Sequence, residues 1–445
     1  MEEIANKVSR PKAVPAPARR TVRDSSARAR APARAPAAAG EPLWTMSIVG
    51  LCMFTFAIVS YKFPISEIGI GLAVLGLVLQ KKKLRFPLII WLYLAYVLWA
   101  LVSAIASNHG GVVMDAVIER LKLAVIMLVV VNALRNERQI RFFIGFFVLV
   151  YVLFPVRGGI VNYAVGHHPF GRMIWNYIYN NANDLAALTL LTLGMAVSLV
   201  ATSAIQNGRR VFAAVSIVFL VVVIFMTQSR GVFIGMTLNF ALPLLRSVIK
   251  KPSQIIYLVL IAAAVAYWTP ASTWQRYAGI TKLSSTSTIS EADPEGSAEQ
   301  RWEIQKVAWK IAKDHPLFGV GLGVYPYANA KYSPELGARD THNTYLNLAA
   351  EVGLPGLLLW CALMFSTLGY VSRSRRAAGT DGLSLQFIWM ERAFRGYLIA
   401  ALVGTYSRLT FPYLILSVLW CAATVSLQKS QQASQQQSAT AAEAS

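Results

Sequence analysis

The sequence predicts an all-α polytopic membrane protein with about 12 transmembrane helices and one large helical loop. Hydrophobic residues make up 56% of the 445-residue chain, and charged residues make up only 14%. This apolar content exceeds what the core of one soluble domain requires. Apolar runs of membrane-spanning length, separated by short basic linkers, extend through most of the chain.

The apolar runs predict the individual spans, since a membrane-spanning helix needs about 20 residues. They lie at about 44–61, 65–80, 86–107, 112–134, 140–162, 184–204, 211–228, 231–249, 254–269, 343–370, 387–407 and 411–427. Basic residues are concentrated in alternate linkers, at 81–85, 135–141, 209–210, 246–251 and 373–376. Because short cytoplasmic linkers carry an excess of Lys and Arg, this pattern predicts that these linkers and both termini are cytoplasmic.

The net charge of the chain is +21, from 42 basic and 21 acidic residues. Such an excess is compatible with a nucleic-acid partner, with anionic lipids or with topology bias. The clustering of basic residues in short linkers favours topology and a phosphate-bearing ligand, and we expect no nucleic-acid partner. The three cysteines, Cys52, Cys361 and Cys421, lie in apolar runs and give neither a disulfide framework nor metal-ligand spacing.

The two ends of the chain differ in composition from the middle. Residues 1–43 are rich in Ala, Pro, Arg and Ser, and residues 429–445 in Gln, Ser and Ala. Both are predicted to be disordered cytoplasmic tails because they lack the large apolar residues of a core. Residues 44–428 form the predicted transmembrane domain, interrupted by an extracytoplasmic loop at about 269–341.

A helix is predicted within that loop. Ser297 and Gln300 have capping-box spacing, and Pro316 ends the helix near Lys313 or Asp314. Two faces follow from helical spacing. One carries Ile304, Val307, Ala308 and Ile311, and the other carries Trp302, Lys306, Trp309 and Lys313. A face of Trp and Lys is typical of a membrane interface.

Four short motifs follow one another in and after this helix. They are Arg301-Trp302, the His-Pro-Leu-Phe-Gly-Val-Gly-Leu-Gly run at 315–323, the Thr-His-Asn-Thr-Tyr-Leu run at 341–346 and Gly-Leu-Pro-Gly at 353–356. In this order they resemble the O-antigen ligase and polymerase superfamily of bacterial membrane glycosyltransferases. The resemblance covers about 181–356, including the Asn-Asp-Leu-Ala sequence at 183–186.

The resemblance implies a GT-C-like fold in the inner membrane, with a periplasmic active site. It implies transfer of O-antigen from undecaprenyl pyrophosphate to a sugar of lipid A-core, with inversion at the anomeric carbon. Membrane lipids would be the other partners. The nearest alternatives are an O-antigen or exopolysaccharide polymerase and a protein O-oligosaccharyltransferase. A membrane transporter is more distant, because Glu67, Asp115 and Glu119 lie near the predicted span ends.

The resemblance also implies roles for individual residues. His342 falls at the family's essential histidine and would be the general base. Arg230 and Arg301 match activity-bearing arginines of the family and would bind pyrophosphate, with Arg172 and Arg339 as further candidates. Possible substrate-lining residues are Asn343, Tyr345, His167 and His168.

The chemistry of these side chains agrees with those roles. A guanidinium group binds phosphate oxygens through two parallel bonds, and an imidazole of near-neutral pKa accepts a proton from a hydroxyl. Simpler interpretations stay open. Arg157 and Arg408 could bind headgroups or pair with local carboxylates, and His342 could bond to the backbone at a helix start. Helix capping is at least as good an explanation as sugar binding for the polar residues Asn180, Asn181, Asn183 and Asp184.

Neither a metal nor a cofactor is expected. Glu291 and Asp293 have a Glu-x-Asp spacing that some metal-dependent membrane glycosyltransferases use, but they lie beside the Ser-rich stretch 284–290, which is typical of a solvated loop. The glycines at 319–323 follow a predicted helix instead of a strand, so they do not indicate dinucleotide binding.

Overall fold

A computed structural model describes residues 42–61, 64–80, 82–201, 207–241, 243–246, 255–271, 273–274, 297–379 and 382–443. Helices, turns and connecting segments account for this part of the chain, and it contains no strand. The predicted all-α class is therefore confirmed for the described residues. Nearly all of the predicted N-terminal tail, the Ser-rich stretch, Glu291 and Asp293 lie outside them.

We number the α-helices in chain order. They are α1 Met46–Ser60, α2 Ser66–Leu79, α3 Leu88–Ser103, α4 Gly110–Ala133, α5 Glu137–Tyr151, α6 Arg157–Ala164, α7 Ala182–Val200, α8 Asn207–Met226, α9 Arg230–Met236, α10 Ile255–Trp268, α11 Ser297–Asp314, α12 Tyr325–Tyr332, α13 Thr344–Ala378, α14 Gly382–Ala400 and α15 Thr410–Glu443. Short π-helical segments, Val152–Val156 and Thr237–Ala241, connect α5 to α6 and extend α9.

Each predicted apolar run overlaps helix in the described residues, although the run at 140–162 covers both α5 and α6 and the run at 231–249 lies partly outside the described residues. In the described residues, five helical stretches are long and apolar enough to cross a membrane: Glu137–Ala164, Ala182–Val200, Gly208–Met226, Thr344–Ala378 and Thr410–Ala442. Shorter apolar helices are Met46–Ser60, Ser66–Leu79, Leu88–Ser103 and Val259–Trp268. The membrane character of the chain is thus supported, and the number of about twelve spans stays a prediction.

The C-terminal residues differ from the prediction. Residues 429–443, which we expected to be a disordered tail, continue α15 as exposed helix. Ala and Gln are strong helix formers, and the chain contains neither Gly nor Pro after Pro412. Helix propensity therefore extends the apolar helix beyond the point where its packing ends.

Helices α7 and α14 form the centre of the packed core. Nearly every residue of α7 is buried, and this helix contacts α8 and α14. The main chains of α9 and α14 approach closely, since a Cβ atom on Gly235 would lie 2.3 Å from the carbonyl oxygen of Gly396. This contact holds the end of α9 against α14.

The loop helix α11, Ser297–Asp314, has the bounds and the two faces that the sequence predicts. Ile304, Ala308 and Ile311 are buried in a small cluster with Tyr325 and Ala350, so this face packs on α12 and α13. The opposite face is open, with Trp302 and Trp309 exposed to 50% and 54%. Lys306 and Lys313 lie over these two indole rings, at 5.9 and 5.2 Å from the ring centroids.

The glycine-rich run after α11 forms a backbone junction with α13. Val320 N donates to Ala350 O (2.9 Å), and Leu354 N donates to Pro316 O (2.8 Å). Gly353 has φ +69°, and a Cβ atom there would lie 2.0 Å from the carbonyl oxygen of Leu317. A residue without a side chain is therefore required at this position.

The contact between α9 and α14 gives a test of the fold. Adding a methyl group in Gly235→Ala or Gly396→Ala should lower the free energy of unfolding by about 1–3 kcal/mol, because neither backbone has room to move away. Gly369→Ala is the matched control, since nothing lies within 4 Å of a Cβ atom there. Thermal unfolding in detergent measures all three. A melting temperature of Gly235→Ala equal to that of Gly369→Ala would contradict this packing.

Candidate functional site

His342 lies in a turn that is bonded to the connection between α14 and α15. On one side of it, Thr344 N donates to Ala401 O (2.8 Å), and Thr344 Oγ1 donates to Gly404 O (2.7 Å). On the other side, the hydroxyls of Thr341 and Thr405 are 3.0 Å apart. These bonds hold the turn in place.

The backbone of His342 is left-handed, with φ 52°. This conformation costs a residue with a side chain about 1–2 kcal/mol, and such strain is concentrated at functional sites. The bonds on both sides of the histidine offset the cost.

The electrostatic surroundings of His342 favour the neutral imidazole. Burial lowers the pKa of His342 below its ordinary value, and the positive charge of Arg301 lowers it further. Asp340 acts in the opposite direction, and the charges of Arg339 and Arg408 add to the lowering. The arginines that would attract a phosphate therefore also keep this imidazole unprotonated to a lower pH.

Arg408 lies between two carboxylates. Its Nη2 is 3.7 Å from Asp184 Oδ2 and 3.7 Å from Asp340 Oδ2, and its side chain is 58% exposed. The interpretation that Arg408 pairs with local carboxylates is thus supported by the geometry. Asp184 is nearly buried at the start of α7, where the sequence left both helix capping and sugar binding open.

Arg172 connects the loop before α7 to the end of α8. Its Nε donates to Thr227 O and its Nη2 donates to Asn183 Oδ1, both at 2.8 Å. Tyr406 continues this network, because its hydroxyl donates to Asn183 O (3.5 Å) and its main-chain N donates to Thr344 Oγ1 (2.9 Å). Arg172 therefore belongs to the same bonded network as the turn that carries His342.

Arg230 begins α9, three residues after the Thr227 that accepts from Arg172. Its neighbour Gly231 lies against the 400–404 segment, since a Cβ atom there would be 3.6 Å from Ala400 O. The same segment accepts the bonds of Thr344. Arg230, Arg172 and the His342 turn thus lie at one end of the helical core. We call the set of Arg172, Arg230, Arg301, Arg339, Arg408 and His342 the His342 cluster.

The other predicted residues have more local contacts. Asn343 caps α13, because its Oδ1 accepts from Tyr345 N (3.0 Å) and Leu346 N (3.1 Å). Tyr345 donates its hydroxyl to Leu398 O (3.0 Å). Asn181 caps α7 through Asn183 N (2.8 Å). The contacts of Asn343 and Asn181 are helix caps, and for Asn181 the capping interpretation is thus supported. The Tyr345 bond, in contrast, joins α13 to α14.

His167 and His168 lie in the loop before α7. His167 is exposed, and the ring of His168 lies 4.6 Å from the ring of Tyr163. The Tyr163 contact involves no member of the His342 cluster. The predicted role of both histidines in lining a substrate stays a prediction.

Two buried ionisable residues were missed from the sequence. Arg120 of α4 is 8% exposed and donates to the carbonyl oxygen of Arg408 (3.4 Å). Glu351 of α13 is 6% exposed and accepts from Tyr325 N at the start of α12 (3.3 Å). Both residues lie inside predicted apolar runs, whereas the interior charges considered from the sequence for a transporter were only Glu67, Asp115 and Glu119. An ionisable residue inside an apolar run was the signal that could have identified both.

The described residues contain no group of three or more His, Cys, Asp or Glu side chains placed to hold a metal ion. Of the acidic residues near the cluster, Asp184 and Asp340 face the guanidinium of Arg408. The positive charge in this part of the molecule comes from arginine side chains.

A comparison with models of known protein families matches residues 215–361 to the family described as O-antigen ligase. The matched region contains Arg230, Arg301, Arg339 and His342, whereas Arg172 and Arg408 lie outside it. A search of curated proteins finds no match.

The cap at Asn343 gives a test that separates a structural role from a substrate contact. Asn343→Ala should lower the free energy of unfolding by about 1 kcal/mol, because two main-chain N–H groups lose their acceptor. Asn343→Ser should retain most of the stability, since a serine hydroxyl also caps helices. Thermal unfolding compares the variants. Unchanged stability of the alanine variant, together with a raised KM for a substrate, would favour the substrate-lining role instead.

Proposed function

The match to residues 215–361 supports an O-antigen ligase family assignment, and on that premise we propose that this protein transfers O-antigen polysaccharide from undecaprenyl pyrophosphate to a sugar of lipid A-core. We place this reaction at the periplasmic face of the inner membrane. The observation that carries the proposal is a half-buried histidine whose pKa is lowered by burial and by the charges of arginines around it.

His342 is the general base of the proposed reaction. Its neutral imidazole takes the proton from the acceptor hydroxyl as that oxygen attacks the anomeric carbon of the donor sugar. The bond from the anomeric carbon to the pyrophosphate oxygen breaks, and its electron pair leaves with the pyrophosphate. A single displacement of this kind inverts the anomeric carbon and requires no enzyme nucleophile.

The arginines hold the donor and stabilise the departing pyrophosphate. Arg230 and Arg301 are the principal ligands in this proposal, with Arg172 and Arg339 as further ligands. Arg172 is held in place by Thr227 and Asn183, so its charge is oriented before the donor binds. Preorganised positive groups stabilise the charge that develops in the transition state and need no reorganisation. The proposed reaction therefore uses no metal ion.

Replacing the base should affect turnover more than donor binding. We expect His342→Ala to lower the transfer rate by about 10²–10⁴-fold while donor affinity is kept, because only proton transfer is lost. Arg230→Lys should weaken donor binding, since one ammonium group cannot reproduce a planar two-pronged contact. Purified protein is assayed in EDTA with lipid-linked O-antigen and lipid A-core, and donor binding is measured separately.

His109→Ala is the matched histidine control, since His109 is exposed outside the His342 cluster and its ring stacks on Tyr327. A turnover rate of His342→Ala equal to that of the wild type would exclude His342 as the general base. Supplying a second donor molecule, or a Ser- and Thr-containing peptide, in place of lipid A-core distinguishes a ligase from a polymerase or a protein transferase.

The pH dependence of transfer follows from the lowered pKa of His342. A base works when it is unprotonated, so activity should fall as the pH drops through that pKa, with a midpoint below the ordinary value of about 6.5. Arg339→Gln should move the midpoint upward, because one positive neighbour is removed. The profile of kcat/KM for the donor reports the free enzyme and is the quantity to measure. A midpoint above 6.5, or a downward shift in Arg339→Gln, would contradict the described surroundings of the base.

A further inference from the structure

A cavity of about 510 Å³ lies beside the His342 cluster and shares Arg408 with it. This volume is within the usual range for small-molecule sites. Arg408 joins the two regions, because it approaches Asp184 in the cavity and Asp340 two residues before His342. The cavity lining includes Tyr61, Tyr177, Asn180, Asn181, Asp184 and Arg408.

Two tyrosines form one wall of the cavity. The rings of Tyr61 and Tyr177 are stacked, with centroids 4.7 Å apart and an angle of 13° between their planes. Both residues have left-handed backbones, with φ 50° and 60°. Tyr177 is nevertheless 61% exposed, so a large part of this residue remains open. Two adjacent aromatic residues in a costly backbone conformation form a rigid, open apolar surface.

The polar lining carries hydrogen-bonding groups without an excess of positive charge. Asn180 and Asn181 supply amide groups, and Asp184 supplies a carboxylate. The charge of Arg408 is offset by Asp184 and Asp340, each at 3.7 Å. This balance does not favour a pyrophosphate. It suits a ligand with many hydroxyl groups, which donate to carboxylates and exchange bonds with amides.

We propose that this cavity binds a sugar ring of one of the two glycan substrates. The C–H face of the ring lies on Tyr177, and its hydroxyl groups bond to Asp184 and the two asparagines. The inference rests on the proposed function, since that function supplies the glycans. A sugar held here lies next to the pairs that Arg408 forms with Asp184 and Asp340, close to His342. This position orients the glycan toward the base.

Varying the donor and the acceptor separately identifies which glycan occupies the cavity. Tyr177→Ala should raise the KM for one glycan substrate about tenfold, while the KM for the other and kcat stay within twofold. Tyr177→Phe keeps the aromatic face and should stay within threefold of the wild type. Tyr327→Ala is the matched control, because Tyr327 is 51% exposed, stacks on His109 and does not line the cavity.

A raised acceptor KM assigns the cavity to the acceptor, and a raised donor KM assigns it to the donor glycan. If Tyr177→Ala leaves both KM values unchanged, the cavity does not bind a sugar of either substrate. A phenylalanine variant as weak as the alanine variant would exclude the stacking contact. Melting temperatures of all variants show whether the fold is retained.

Direct binding separates this inference from the proposed function. Labelled lipid A-core from cells lacking O-antigen, and labelled undecaprenyl-pyrophosphate glycan, are titrated against the protein in nanodiscs. Saturable binding that is about tenfold weaker in Tyr177→Ala supports a sugar site in the cavity, whether or not the wild type transfers glycan. If the wild type then transfers nothing, only the proposed function fails. Transfer by the wild type with equal binding by Tyr177→Ala overturns the cavity alone. If the wild type transfers nothing and Tyr177→Ala binds both glycans as well as the wild type does, the proposed function and the cavity both fail.

Discussion

The bonds of Thr344 to the connection between α14 and α15 are the constraint on which the site depends. One side chain donates to Gly404 O and accepts from Tyr406 N, while its main-chain N donates to Ala401 O. All of these groups are buried, so an unmade bond would leave a desolvated polar group at a cost of about 1–3 kcal/mol. The turn with His342 and the segment with Arg408 are thereby held as one unit.

Two electrostatic requirements meet in this unit. A pyrophosphate needs concentrated positive charge, and a general base needs to be unprotonated. The arginines serve both, because the charges that would attract phosphate oxygens also lower the pKa of His342. Asp340 opposes them, and Asp184 and Asp340 both lie close to Arg408. The carboxylates therefore limit how far the field of the arginines extends toward the cavity.

Local patterns in the sequence predicted the helices well. The bounds and both faces of α11 follow from the spacing of neighbouring residues, and the cap at Asn181 follows from the residue type before an apolar run. The helical residues 429–443 were misjudged because low apolar content was given more weight than the helix propensity of Ala and Gln.

The tertiary pairs of the site could not be read from the sequence. Asp184 and Arg408 are far apart in the chain, as are Tyr61 and Tyr177, and no local rule specifies which distant residues meet. The family motifs indicated His342, Arg230 and Arg301, but a motif gives no distances and does not include the cavity. Arg120 and Glu351 were visible as charges in apolar runs, yet their burial depends on how α4 and α13 pack.

The open Trp and Lys face of α11 has a consequence for how the molecule responds to its lipid surroundings. Indole rings with ammonium groups above them prefer the boundary between acyl chains and headgroups, so this face resists vertical displacement of the helix. Arg301 lies near the start of the same helix, next to Trp302. A thicker or thinner bilayer would shift the preferred height of the indoles, and with them the arginine that adds to the effect of burial in lowering the pKa of His342. Lipid composition would then tune the chemistry without any lipid entering the site.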